Sequence, residues 1–129
     1  MSQFDSRLMP GAFFINLQTR TEVTNQAITG VLAEIKGMRD APVTDQELSE
    51  AKSFIVGSFP LRVDSSAKLA NVLAQVELYN LGLDYFTNYP KAIEKVTKDD
   101  VLRVAKQYLD PQHYALVVVG SIAKAKVKQ

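Results

Sequence analysis

His113-Tyr114-Ala115-Leu116-Val117-Val118-Val119, closed by Gly120, is the stretch on which the fold turns. It is continuously apolar and rich in β-branched side chains, the pattern of a strand covered on both faces. Such a strand requires neighbours, because alone it leaves a row of backbone donors and acceptors unpaired. Towards the other end, Ala12-Phe13-Phe14-Ile15-Asn16-Leu17-Gln18 is short, aromatic and mostly apolar, opened by Pro10-Gly11. It reads as a second, largely buried strand. With helices between them, two such strands suggest that part of the sheet lies outside this chain.

The intervening sequence has a helical period. From about Thr24, the residues Ala27, Ile28, Val31, Leu32, Ile35 and Met38 line one stripe of an amphipathic helix. Gly30 and Gly37 each weaken that helix by up to ~1 kcal/mol relative to Ala. Val43-Thr44-Asp45-Gln46-Glu47-Leu48 opens the next helix with a capping box. The Thr44 hydroxyl can accept from the Glu47 amide, the Glu47 carboxylate can accept from the Thr44 amide, and Val43 and Leu48 occupy the staple positions. Leu48, Ala51, Ile55 and Phe59 mark its inward face, and Pro60 ends it near residues 58–59.

A third helix follows Asp64-Ser65-Ser66, with Leu69, Val72, Leu73, Val76 and Tyr79 on one side. Gly82 reads as its left-handed terminator, and Leu83 as the apolar contact beyond it. Asp84 caps a short aromatic helix carrying Tyr85, Phe86 and Tyr89, which Pro90 is expected to interrupt or restart. Thr97-Lys98-Asp99-Asp100 opens the last helix, with Val96 and Val101 at the staple positions. Its box is weaker, since Asp100 reaches less far than Glu. That helix stops at Asp110-Pro111.

Composition narrows the chemistry. The 129 residues are 47% hydrophobic and 22% charged with a net charge of +1, values of an ordinary globular domain. Near-neutral charge with normal apolar content disfavours disorder. No general attraction to phosphate exists, and no basic face marks a nucleic-acid module. No apolar run approaches the roughly 18 residues of a membrane span. The absence of Cys excludes disulfides, thiolate metal sites and cysteine nucleophiles.

One His, His113, stands in the whole sequence. A zinc site of the His-Glu-x-x-His kind cannot be assembled from one imidazole, so His113 reads as structural or partly exposed. Asp45, Glu47 and Glu50 open one helix and Asp99 and Asp100 another; capping and the helix dipole account for them better than paired acid–base roles. Ser58, Ser65 and Ser66 lack a nucleophile elbow or a nearby base. Tyr79, Tyr85, Phe86 and Tyr89 form an aromatic cluster suited to core or subunit packing, with little positive charge beside it for stacking bases. Lys124, Lys126 and Lys128 belong to a solvated basic tail, 122–129. The reading assigns no catalytic, cofactor-binding or metal-ligating residue.

Taken in order, these pieces resemble a known family. Pro10-Gly11-Ala12-Phe13-Phe14-Ile15 leads to Gln18-Thr19-Arg20-Thr21, then to Val43-Thr44-Asp45-Gln46-Glu47-Leu48 with Ala51-Lys52 and Gly57-Ser58-Phe59-Pro60-Leu61-Arg62. Glu77-Leu78-Tyr79, Asp84-Tyr85, Val96-Thr97-Lys98-Asp99-Asp100-Val101, Tyr108-Leu109-Asp110-Pro111 and Val117-Val118-Val119-Gly120 complete the series. Their order and spacing are similar to the C-terminal, zinc-free lobe of the pitrilysin/insulinase family of zinc metallopeptidases, the inverzincins.

The resemblance implies an α+β fold, a mainly antiparallel sheet with helices packed against it in strand–helices–strand order. Residues 1–121 are expected to be one lobe lacking its N-terminal part, from a family built of paired similar lobes that close around an unfolded peptide. Zinc is expected only in the partner N-terminal lobe, which carries His-x-x-Glu-His; no position here matches that motif. An Arg and a Tyr that members use to hold substrate fall upstream of the segment matching Ser2-Gln3-Phe4, so no functional residue carries over. Met1 then marks a truncated beginning, with the sheet completed by another copy or by added segments. The implied partners are a catalytic N-terminal lobe or subunit, an unfolded peptide, and a second copy through an open sheet edge. Relatives of this compact bacterial kind occur in both cytoplasm and periplasm. A structural or scaffolding subunit derived from the same fold is the alternative function.

Overall fold

Three helix starts in this chain are fixed by side chains that satisfy free backbone amides, while Asp84, at the start of the aromatic helix, makes no side-chain cap bond. At Thr44 the Glu47 amide donates to the Thr44 hydroxyl at 3.2 Å, and the Thr44 amide donates to Glu47 Oε2 at 2.8 Å. The box at Thr97 closes in the same way, with 3.0 Å from the Thr97 amide to Asp100 Oδ2 and 3.1 Å from the Asp100 amide to Thr97 Oγ1. The shorter Asp therefore suffices. Ser65 caps the helix between them, accepting from the Lys68 amide at 3.3 Å.

The computed structural model describes residues 1–5 and 11–120. Among the described residues the elements are strands β1 (Ser2–Phe4) and β2 (Phe13–Ile15), then helices α1 (Thr24–Asp40), α2 (Asp45–Ser58), α3 (Ser66–Leu78), α4 (Tyr85–Lys95) and α5 (Lys98–Tyr108). Short 3-10 turns at Thr21–Val23 and Phe59–Arg62 lead into α1 and out of α2. The chain divides into two compact units, one drawn from Met1–Pro42 and Leu102–Gln129, the other Val43–Val101. The expected tail, 122–129, lies outside the described residues.

In the first unit β1 and β2 pair antiparallel, with Ser2 opposite Ile15, Gln3 opposite Phe14 and Phe4 opposite Phe13. The last pair brings two rings to 4.7 Å between centroids, and Phe4 also meets the edge of Tyr108 on α5 at 6.1 Å. Such cross-strand aromatic pairs are the unit of sheet stabilisation. Gly11 is required beside this ribbon, because a Cβ there would lie 1.7 Å from the Asp5 carbonyl oxygen. At the other end of the unit the Arg39 guanidinium donates to the Leu109 carbonyl. That bond joins the end of α1 to the end of α5, where Ala105 and Leu109 are buried.

In the second unit α2 and α4 pack together, and Lys52 Nζ donates to the Glu94 carbonyl at 2.7 Å. Phe59 and Val76 are the buried apolar side chains here. Pro60 ends α2 where expected, and the chain continues as the tighter 3-10 turn.

Among the described residues the fold is broadly α+β and mostly helical, with a small two-stranded antiparallel sheet. Three expectations are corrected. Residues 114–119 form no strand and make no hydrogen bond to another described residue. The cause is that no described strand runs beside them, and a strand cannot satisfy its own backbone. The expected strand at 12–18 is reduced to β2, and Phe14 and Ile15 are 39% and 37% exposed rather than buried, again for want of a covering layer. Pro90 neither breaks nor restarts its helix, since α4 runs through it. One lost backbone bond is offset there by the aromatic packing described below.

The end of α3 differs as well. Asn80, not Gly82, takes the terminating left-handed conformation, with φ of 51°. The Leu81 amide donates to the Val76 carbonyl at 2.9 Å and the Asn80 amide to the Glu77 carbonyl at 3.1 Å. Those two bonds define a Schellman ending, so Leu81 rather than Leu83 follows the cap. Gly82, with φ of 83°, turns the chain into α4. Asn80→Ala is therefore expected to destabilise the chain by about 1 kcal/mol through the cost of a left-handed Ala, while Asn80→Gly matches or exceeds the parent. Urea unfolding followed by helical circular dichroism checks this, and equal midpoints for the two variants would refute the assignment.

Candidate functional site

The most organised side-chain cluster lies in the second unit and grows from the α2–Pro60 junction. Phe59, carried past the end of α2, is 7% exposed. Tyr85, Phe86 and Tyr89 recur at the helical spacing of α4 and gather on it, with centroid distances of 6.2, 6.3 and 4.6 Å. Tyr89 stacks on Phe59, while Tyr85 meets it edge-on, both favourable ring arrangements. Arg62, delivered by the 3-10 turn, places its guanidinium carbon 5.6 Å from the Tyr89 centroid and its Nη1 3.5 Å from the Tyr89 hydroxyl. Burial holds the Tyr85 hydroxyl above the ordinary phenol range, with Tyr89 adding to the rise and Arg62 opposing it. The cluster is thus a packed aromatic knot with a guanidinium at its rim.

Sequence reasoning placed Tyr85, Phe86 and Tyr89 together correctly. Tyr79 makes no ring contact with them among the described residues and is 36% exposed. From the sequence Phe59, their hub, reads as the inward face of α2, and Arg62 stands only within the Gly57–Arg62 run of the family resemblance, with no role of its own. The signal for both was the Phe-Pro-Leu-Arg run, whose proline tightens the chain and presents both neighbours to α4.

The acidic candidates are dispersed into local roles. Asp45 pairs with Lys98 at 2.8 Å on the surface, Glu50 accepts from Gln46 Nε2 at 2.8 Å, and Asp100 caps α5. Glu47 is held below the usual carboxylate range by the Thr44 amide first and the Thr44 hydroxyl second, so it stays ionised at neutral pH. Ser58 Oγ donates to the Ile55 carbonyl at 3.3 Å, and Ser65 is occupied in its cap.

His113 follows α5 in a tight turn. Asp110 Oδ1 accepts from the Gln112 amide at 2.9 Å, and Oδ2 lies 2.7 Å from His113 Nδ1. These bonds, the Gln112 amide foremost, lower the Asp110 carboxyl. The imidazole is 84% exposed. Among the described residues, no group of three or more His, Asp or Glu side chains is placed to hold a metal ion. No described helix is long and apolar enough to cross a membrane.

With this geometry in hand, comparison with known proteins adds one finding. No family model matches the chain. Over 110 residues, 85% of the chain, it is 24% identical to the protein named Non-peptidase homolog YmxG from Helicobacter pylori (strain ATCC 700392 / 26695). The chain spans about a quarter (26%) of the length of that relative.

The lowered Glu47 carboxyl makes α2 pH-sensitive with a definite sign. A depressed folded value stabilises above the ordinary value of 4.5, and the contribution is lost as pH falls through the lower folded value. Glu47→Gln keeps a box acceptor but cannot titrate. Its stability is expected to fall less steeply than the parent's between pH about 5 and about 3, with helix content unchanged at pH 7. Denaturant melts across that range measure both slopes; parallel slopes would show that the box contributes nothing to acid unfolding.

Proposed function

We propose that this chain is a non-catalytic, zinc-free lobe of the pitrilysin type, which helps to wall a peptide-binding chamber and supplies no complete active site. The carrying observation is the single imidazole in a sequence whose motifs follow the order of that lobe. Similarity to a protein named as a non-peptidase homologue supports the same reading and favours an inactive parent over an active one-chain enzyme. Zinc and the water-activating carboxylate then belong to a partner N-terminal lobe or subunit, and the substrate is an unfolded peptide. Apolar residues left open, such as Leu83 at 89% and Phe54 at 75% exposure, are suited to contact with a neighbouring lobe.

A direct test mixes the purified chain with excess zinc and a fluorescently labelled unfolded polypeptide. After exhaustive dialysis, elemental analysis should find far less than one zinc per chain, and electrophoresis should find the polypeptide intact. Fluorescence anisotropy should meanwhile rise saturably as the chain binds it. One zinc retained per chain, or cleavage that a chelator abolishes, would overturn the proposal. Anisotropy that stays flat would remove the chamber role.

A further inference from the structure

We draw no further inference here: the strongest candidate, the apolar surface of α3 left open at Leu69, Leu73 and Leu78, carries nothing because nothing in the structure shows what covers it.

Discussion

A helix satisfies its backbone within its own length, whereas a strand depends on a neighbour. That asymmetry governs the whole molecule. Where Thr44, Ser65 and Thr97 supply caps, helices form and end close to where their residues direct. The most β-like stretch of the chain, 114–119, stays extended but unpaired among the described residues. Among the described residues only β1 and β2 find one another, through three residue pairs and the tilted ring contact of Phe4 and Phe13. The described residues are thus mostly helical with a fragment of sheet.

Packing is correspondingly economical. Among the described residues, Phe59, Val76, Ala105 and Leu109 are the buried apolar side chains. Phe59 does more than fill space: its ring organises Tyr85, Phe86 and Tyr89, and this cluster keeps α4 continuous across Pro90. A proline inside a helix costs about 3 kcal/mol in isolation. Three aromatic contacts, each worth about 0.5–1.5 kcal/mol beyond area burial, are of the size needed to offset it. A guanidinium from Arg62 then closes the rim of the knot.

The functional reading follows from the same local economy. Carboxylates that could divide acid and base roles are committed to caps and surface pairs, as Glu47 and Asp100 are to their threonines. The single imidazole is oriented by Asp110 in a turn and stands open to solvent.

Helix positions, the two capping boxes, the stop at Pro60 and the aromatic trio of α4 were legible in the residues themselves, because each depends on groups a few positions apart. Sequence also determined that one histidine and no cysteine are present, which limits the chemistry whatever the fold. Tertiary structure alone decided the rest. It made Asn80 the terminator of α3, since the choice between Asn80 and Gly82 depends on which turn leads into α4. It brought Phe59 and Arg62 to the aromatic trio across some thirty positions, and it left 114–119 without a strand partner among the described residues. Periodicity and β-propensity describe what a segment can pair with; whether a neighbour is there to accept it is a property of the folded arrangement.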